Sequence, residues 1–361
     1  MQEQEVLTEV RGQVGCITLN RPKALNALSL GMVRTLFATL TAWNRDPKVL
    51  AIAIRGSNKE GPFGAFCAGG DIRFLHQAAT LGDPRVEDFF TKEYILNHLT
   101  HHLSKPYIAF MDGVVMGGGM GISQGASLRV VTERTKMAMP ETGIGLFPDV
   151  GGGYFLSRCP GHAGEWLALS GETITAADAL AFKLADALLP SDQLAAVWDG
   201  LGTQSFANGA AVQAWVASQG IAADAGSASA RAQIDHYFSL PDVPAIITAL
   251  ETAQGEWERA CAATLRQRSP LMLHVVLEQI RRARGMTLAE DLRMERDLVR
   301  HCFHLRPGES ETLEGIRALA VDKDRNPQWK PARIEDVDPA LVQAFFTSPW
   351  PAELHPLARL A

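Results

Sequence analysis

Two carboxylates stand in a short segment that otherwise contains mainly glycine, proline and apolar residues. They are Glu141 and Asp149, within residues 139–153, and each follows a proline directly. Proline restricts the backbone and removes an N–H donor, so the frame around the acids is stiff. An apolar frame desolvates a carboxyl group and raises its pKa toward the range used in acid–base catalysis. The alternative is two ordinary loop acids, one of which caps the following helix, because caps and perturbed acids look alike in sequence.

Two glycine-rich stretches each follow a predicted strand and precede a predicted helix. Residues 64–72 contain Gly69-Gly70-Asp71, and residues 106–111 lead into a glycine run before a helix predicted over residues 120–127. Glycine lets backbone N–H groups approach a ligand closely, and a helix N-terminus favours negative charge. Two such donors aimed at one point would form an oxyanion hole. With an acid beside them, these stretches suit chemistry on an acyl carbonyl.

Together with Asn-Arg-Pro-Lys-Ala-Leu-Asn-Ala-Leu at residues 20–28, these stretches resemble the crotonase (enoyl-CoA hydratase/isomerase) superfamily. The resemblance covers most of the chain. Residues 139–156 narrow it to the branch of 3-hydroxyisobutyryl-CoA hydrolases. It implies an α/β fold, a crotonase-like spiral of repeated β-β-α units with an extended helical C-terminal region. It also implies a catalytic core over residues 1–190 and a mainly helical region over residues 191–361 that packs on the core.

The local patterns agree with such a spiral. A hairpin is predicted from residues 5–9 and 14–19, a helix from Ser29, and a buried strand over residues 50–55. Further strands are predicted over residues 107–111, 128–131 and 136–139, with helices after each pair of strands. The C-terminal half has an Ala-rich, helical composition, with a loose linker at residues 220–228 and long helices over residues 270–284 and 288–303.

The resemblance assigns roles to single residues. The N–H groups of Gly70 and Gly118 would form the oxyanion hole, and Glu93, Gly118, Glu141 and Asp149 would bind the substrate. The role of Glu93 rests wholly on the resemblance, through its context Glu-Tyr-Ile-Leu-Asn. Glu141 would act on the acyl carbon, either by activating water or by direct attack to give a mixed anhydride. Asp149 would orient the substrate hydroxyl or manage the proton, and the two acids should titrate as a coupled pair.

Coenzyme A would be bound as part of the substrate, with no separate cofactor and no metal. The residues expected to contact it are Lys23, Ala24, Ala68 and Asp71. Arg21 and Lys23 are candidates for binding the CoA phosphates, and ordinary surface charge is a nearly equal alternative.

One departure from the superfamily favours hydrolysis over hydration. Hydratases carry a second glutamate where this chain has Gly121, and a small residue where it has Asp149. Addition of water across a double bond requires two acidic side chains that bind the same water molecule, and this chain lacks the second of them. The resemblance to the hydrolase branch then implies hydrolysis of the thioester of 3-hydroxyisobutyryl-CoA, and of 3-hydroxypropionyl-CoA, as in valine catabolism. A short-chain enoyl-CoA hydratase or isomerase is the alternative, and an acyl-CoA-binding protein without chemistry is a third reading.

Other motifs give weaker signals. Residues 121–125 match G-x-S-x-G, but the elbow of serine hydrolases needs its serine directly after a strand, whereas Ser123 is expected within a helix. A dinucleotide loop would need a glycine at Gln124. Cys67 could be a nucleophile, but buried free cysteines are common. His98, His101 and His102 lack an acid or cysteine that would complete a metal site.

Composition and charge limit the classes of protein. Apolar residues make up 47% of the 361 residues, which indicates a globular chain, and no apolar run reaches the roughly 20 residues of a membrane span. A net charge of −6 argues against a nucleic-acid partner. Five cysteines without a C-x-x-C pattern indicate reduced thiols, and with the acidic N-terminus they predict a cytoplasmic protein. A homo-oligomer is also expected from the superfamily, although the extended C-terminal half could cover the surface involved.

Overall fold

A computed structural model describes residues 4–222 and 231–361. The linker predicted at residues 220–228 lies largely outside them. The chain forms two compact units, each built from separate segments. We call residues 4–70, 95–138 and 173–222 the sheet unit, and residues 71–94, 139–172 and 231–361 the helical unit. The predicted boundary at residue 190, between a catalytic core and a helical region, stays a prediction, because the two compact units do not show which residues take part in catalysis.

All strands of the described residues belong to the sheet unit. Their bounds are β1 (Val6–Arg11), β2 (Val14–Leu19), β3 (Ala51–Asn58), β4 (Gly61–Pro62), β5 (Tyr107–Met111), β6 (Val114–Met116), β7 (Leu128–Val131), β8 (Lys136–Ala138) and β9 (Ala187–Leu188). The main sheet has the order β1-β2-β3-β5-β7-β9, with β4 paired to β3. Strand β1 is antiparallel to β2, which confirms the predicted hairpin, and β2, β3, β5, β7 and β9 are parallel neighbours.

The parallel strands are apolar because helices and loops of the same unit cover them. Strands β2, β3 and β5 are buried almost throughout, as expected for parallel strands that contact the core on both faces. Three aromatic side chains hold the centre of this core. Phe110 lies edge-to-face with Phe63 and Trp198, with ring centroids 6.4 and 5.6 Å apart.

The helices predicted from Ser29 and over residues 270–284 and 288–303 are present near those positions. The α-helices of the described residues are α1 (Leu30–Arg45), α2 (Ile72–Thr80), α3 (Arg85–His101), α4 (Gly118–Gln124), α5 (Gly152–Leu156), α6 (Ala163–Ser170), α7 (Ala176–Ala181), α8 (Leu194–Thr203), α9 (Gly209–Ser218), α10 (Arg231–Phe238), α11 (Val243–Thr252), α12 (Glu256–Arg266), α13 (Pro270–Ala283), α14 (Leu288–His304), α15 (Glu311–Ile316) and α16 (Pro339–Phe345). Ser29 caps α1 by accepting a hydrogen bond from the Met32 N–H at 3.1 Å. The C-terminal region is helical, as predicted.

Three consecutive strand–strand–helix units follow one another along the chain: β3-β4-α2, β5-β6-α4 and β7-β8-α5. The first strands of these units are neighbours in the main sheet, and β6 pairs with β8 in a second, two-stranded sheet. This confirms the predicted fold of repeated β-β-α units with a helical C-terminal region.

The predicted bounds of helix α4 are wrong. It was expected over residues 120–127, but it begins at Gly118 and ends at Gln124. The chain turns at Gly117, whose φ of 49° and ψ of −121° suit glycine, so the helix starts two residues early. After Gln124 the backbone leaves the helix, and the Ser127 N–H donates to the Tyr107 carbonyl at 2.8 Å.

No helix in the described part of the chain is both long and apolar enough to cross a membrane.

Candidate active site

Glu141 is the first residue of a short 3₁₀ helix, Glu141–Ile144, in the helical unit. Gly145 ends this turn with φ of 66°, and a Cβ there would lie 2.2 Å from the Glu311 carbonyl oxygen, so only glycine fits. The turn buries Glu141, which is 7% exposed, and leaves its Oε2 without a hydrogen-bond partner. Burial, and then the negative charge of Asp149, raise the pKa of Glu141 well above its usual range.

Asp149 lies in the same unit and is 5% exposed. The buried hydroxyl of Tyr94 donates a hydrogen bond to its Oδ2 at 2.9 Å. Burial raises the pKa of Asp149 to about 7, and the bond from Tyr94 opposes that rise because it stabilises the charged form. Asp149 can therefore take up or release a proton near neutral pH.

Glu93 joins this group of acids from helix α3. It is 2% exposed, and its Oε1 has no hydrogen-bond partner in the described residues. Burial raises its pKa well above the usual range, and the charges of Asp149 and Glu141 raise it further. The three acids thus interact electrostatically within one desolvated cluster, which we call the acid cluster (Glu93, Glu141 and Asp149). Such coupled carboxyl groups are suited to moving protons during a reaction.

A second set of buried acids lies behind the Asp149 segment, on helix α14. Asp291 and Glu295 are both fully buried. The N–H groups of Gly151 and Gly153 donate to the two oxygens of Glu295 at 2.8 and 2.9 Å. The Tyr154 N–H donates to Asp291 Oδ2 at 2.8 Å. Burial raises the pKa of Asp291 to about 7, and burial with the charge of Asp291 raises that of Glu295 well above its usual range.

The sequence alone assigned no role to Tyr94, Asp291 or Glu295. A signal was present for the two acids of helix α14, since they stand four residues apart on the apolar face that carries Leu288 and Leu292. Acids on the buried face of a helix are unusual and call for a partner. Their partner is a loop more than a hundred residues earlier in the chain, and the sequence of the helix does not identify it.

The two glycine loops come together in the sheet unit. A Cβ on Gly69 would lie 3.4 Å from the Met116 carbonyl oxygen and 3.6 Å from the Gly118 nitrogen. An isolated parallel β-bridge pairs the backbones of Cys67 and Val115 and so joins the loops, with the Met116 N–H donating to the Cys67 carbonyl at 2.9 Å. The loops that carry Gly70 and Gly118 are therefore neighbours, which two donors to one oxygen would require. Their role as an oxyanion hole stays a prediction.

The residues expected to contact CoA lie in short loops. Lys23 is exposed and forms, with Pro22 and Ala24, a 3₁₀ turn. The Ala68 N–H donates to the Leu25 carbonyl at 3.0 Å, so Ala68 lies beside that turn.

Asp71 accepts a hydrogen bond from the Phe74 N–H at 3.2 Å and caps helix α2. Arg21 forms an ion pair with Glu5 at 3.0 Å, which accounts for its charge without a ligand. CoA binding by Lys23, Ala24, Ala68 and Asp71 stays a prediction.

The competing motifs have structural explanations. Ser123 lies inside helix α4, fully buried, and its hydroxyl donates to the Gly119 carbonyl at 2.8 Å, so it does not form a nucleophile elbow. Cys67 is also fully buried. Gly121 is buried in the same helix and offers no carboxylate. Within residues 4–222 and 231–361, no group of three or more His, Cys, Asp or Glu side chains could hold a metal ion.

The chain belongs to the enoyl-CoA hydratase/isomerase family, whose model matches residues 14–346. The mitochondrial 3-hydroxyisobutyryl-CoA hydrolase of Rattus norvegicus is 38% identical over 350 residues, covering 95% of this chain and 89% of the rat protein. The 3-hydroxyisobutyryl-CoA hydrolase 1 of Arabidopsis thaliana is also 38% identical, over 95% of this chain and 92% of the plant protein. The resemblance read from the sequence is confirmed.

Solved structures share the fold over nearly the whole chain. A carnitinyl-CoA dehydratase from Mycobacterium thermoresistibile superposes with a TM-score of 0.90 at 36% identity and covers 99% of each chain. An enoyl-CoA hydratase from Rhodobacter sphaeroides gives a TM-score of 0.85 at 33% identity, over 99% of this chain and all of the other. The names of these structures and those of the sequence relatives refer to different reactions on CoA esters.

Proposed function

We propose that this protein hydrolyses the thioester of 3-hydroxyisobutyryl-CoA, and also that of 3-hydroxypropionyl-CoA, to the free hydroxy acid and CoA. The buried acid cluster supports this proposal most directly. Relatives that are 38% identical over 95% of the chain carry the name of this activity. We also propose that the reaction serves valine catabolism.

Glu141 is the proposed catalytic residue. Its Oε2 has no hydrogen-bond partner in the described structure, so it is available to a water molecule or to the acyl carbon. As a base, Glu141 would take a proton from water while the hydroxide attacks the carbonyl carbon. The resulting tetrahedral oxyanion would collapse, break the C–S bond and release the CoA thiolate, which takes up the proton.

As a nucleophile, Glu141 would instead form a mixed anhydride and expel the CoA thiolate, and water would then hydrolyse the anhydride. The two routes differ in whether a covalent intermediate forms on Glu141. A single turnover in ¹⁸O-labelled water that labels the Glu141 carboxyl group, or trapping of the anhydride on Glu141 by hydroxylamine, would establish the nucleophilic route. Label found only in the hydroxy acid is compatible with both routes, so absence of a trapped adduct is the result expected for the general base.

Asp149 and Glu93 are the proposed partners of the substrate hydroxyl. Asp149 is held by Tyr94 and has a pKa of about 7, so it can accept a hydrogen bond from the hydroxyl or pass a proton. We propose in addition that the N–H groups of Gly70 and Gly118 bind the thioester oxygen. Loss of one such donor typically removes about 3 kcal/mol of transition-state stabilisation. Only side chains and backbone groups take part in this scheme, and CoA enters as part of the substrate.

Hydration of an enoyl-CoA is the second candidate, because the two solved structures named above are a dehydratase and a hydratase. Residue 121 weighs against it. In this chain a glycine inside helix α4 stands where hydratases carry a second glutamate, so the pair of acids that grips one water is incomplete.

Thiol release from a panel of CoA thioesters tests the proposal. The panel contains 3-hydroxyisobutyryl-, 3-hydroxypropionyl-, acetyl- and crotonyl-CoA. Rapid thiol release confined to the two hydroxyacyl substrates is the expected result. Loss of the crotonyl absorbance without thiol release would instead identify a hydratase, and binding without either change would identify an acyl-CoA-binding protein.

Location and assembly are further proposals. We propose a cytoplasmic location from the reduced cysteines, although the rat relative is named as mitochondrial. Cell fractionation would test it. We also propose a homo-oligomer, which sedimentation analysis would test.

A further inference from the structure

The segment that carries Asp149 is held on both sides by side chains of helices α13 and α14. Before the acid, Gln279 donates from its amide nitrogen to the Pro148 carbonyl at 2.7 Å. After the acid, Glu295 accepts from the N–H groups of Gly151 and Gly153 at 2.8 and 2.9 Å. Asp149 therefore lies between two anchored backbone points.

The backbone between these anchors is strained. Val150 adopts φ of 58°, and Gly151 follows with φ of 85°. A positive φ is a clear outlier for a β-branched residue, and such conformations persist only where the surroundings determine them. The Gly152 N–H closes the turn by donating to the Asp149 carbonyl at 2.8 Å, and the hydrogen bonds from Gly151 and Gly153 to Glu295 bind the closed turn to helix α14. Because Asp149 is the first residue of this turn, the position of the turn affects the direction of its side chain.

Gln279 also orients Glu295, because its amide nitrogen lies 3.3 Å from Glu295 Oε1. All of these groups are buried, so water does not compete for the N–H donors. Charge on Glu295 is not needed for the arrangement. In either protonation state each carboxyl oxygen keeps a lone pair for the N–H that faces it.

We propose that Glu295 is a positioning residue: by holding the turn at Val150–Gly151 it fixes Asp149 against the substrate hydroxyl and thereby sets the preference for 3-hydroxyacyl-CoA thioesters. The inference rests on the proposed thioesterase function and on the proposed role of Asp149. It assigns a part in substrate selection to a residue that touches neither the substrate nor the reacting atoms.

Glu295→Gln is the sharpest test, because the amide nitrogen cannot accept the N–H that it would face. The measurement compares kcat/KM for 3-hydroxyisobutyryl-CoA with that for isobutyryl-CoA, which lacks only the hydroxyl. The ratio of these two values is expected to fall at least tenfold in the variant. The fall should come mainly from the hydroxyacyl substrate.

A double-mutant cycle with Asp149→Asn separates positioning from general damage. If Glu295 acts through Asp149, the double variant should be no slower than Asp149→Asn alone, within about twofold, because residues that act as a unit are not additive. Multiplicative losses would overturn the proposal.

Glu165→Gln is the matched control. Glu165 is another buried acid of the helical unit, but it pairs with Arg284 and His162 rather than with the Asp149 segment. Its variant should lose stability without any change in the ratio of the two substrates. A similar change of ratio in this control would mean that the effect is structural and would overturn the proposal.

Gln279→Met provides a second route if Glu295→Gln does not fold. It removes the donor to Pro148 and the contact with Glu295 while keeping the size of the side chain, so the ratio should again fall. An unchanged ratio in soluble Gln279→Met would contradict the proposal. Absence of thiol release from every thioester by the wild-type protein would overturn both the proposed function and this inference. Normal release by the wild type, with an unchanged substrate ratio in Glu295→Gln, would overturn the inference alone.

Discussion

The helical unit contains two pairs of buried acids, Glu141 with Asp149 and Asp291 with Glu295. Both pairs are at least nine-tenths buried, and burial raises all four pKa values. They differ in their hydrogen bonds. The second pair accepts three N–H groups of the backbone, whereas Asp149 is held by a tyrosine side chain. One oxygen in each pair, Glu141 Oε2 and Asp291 Oδ1, has no hydrogen-bond partner in the described residues.

This comparison shows that a raised pKa alone does not identify a catalytic acid. Desolvation acts on a carboxyl group whatever its role. The backbone contacts distinguish the two pairs, because the N–H groups of Gly151, Gly153 and Tyr154 donate to Asp291 and Glu295, so these two acids hold the loop on which Asp149 lies. An unpartnered oxygen alone does not distinguish them, since Asp291 Oδ1 has no partner either. We propose that the first pair carries the chemistry.

The largest expected effect comes from replacing Glu141, the proposed catalytic acid, whose Oε2 has no hydrogen-bond partner in the described residues. Glu141→Gln should lower kcat for 3-hydroxyisobutyryl-CoA by about a thousandfold or more, because general acid–base catalysis contributes about 10²–10⁴. Binding of a non-hydrolysable CoA thioether analogue, measured by calorimetry, should remain nearly unchanged. Near-normal turnover would remove Glu141 from the mechanism, and the Glu141–Asp149 pair could then no longer be assigned the chemistry in preference to the Asp291–Glu295 pair.

Stability should respond to pH differently once Asp149 cannot ionise. Its pKa is raised from 3.8 to about 7 in the folded protein, so the folded state binds the proton more tightly than the unfolded state. Stability is therefore lost as pH rises between those values, by up to about 1.4 kcal/mol per pH unit. Asp149→Asn should gain stability relative to the wild type as pH rises from 4 to 7 in urea denaturation, with no further gain above pH 7. A relative loss over that range would contradict the burial of an ionisable Asp149.

The second pair should show the opposite sign. Glu295→Gln leaves one buried N–H of the loop opposite an amide nitrogen, which costs about 1–3 kcal/mol. The free energy of unfolding should fall by that amount at pH 7, measured under the same conditions. A variant as stable as the wild type would mean that Glu295 does not hold the loop.

The smallest expected effect concerns Tyr94. Tyr94→Phe removes the hydrogen bond that lowers the pKa of Asp149, so that pKa should rise further. We expect kcat/KM for the hydroxyacyl substrate to fall roughly tenfold, the equivalent of about 1.4 kcal/mol. The pH dependence of kcat/KM should shift toward higher pH. A shift toward lower pH would show that Tyr94 does not stabilise the charged form of Asp149.

Local features of the sequence were sufficient for much of the fold. The β1–β2 hairpin, the helices that begin after Ser29 and Asp71, and the long helices α13 and α14 were all predicted near their observed positions. Caps, turns and hydrophobic periodicity act between residues that are close in sequence, so they can be read without the fold. The start of helix α4 was missed because it depends on the backbone angles at Gly117.

The sequence by itself determined the family, the fold and the two acids of the Met139–Gly153 segment, because these follow from short motifs. Only the tertiary structure decided what those acids contact. Tyr94 lies 55 residues from Asp149 along the chain, Gln279 lies 131 residues from Pro148, and Glu295 lies 144 residues from Gly151. Which buried oxygen is bonded and which is free depends on such distant contacts, and no local pattern specifies them.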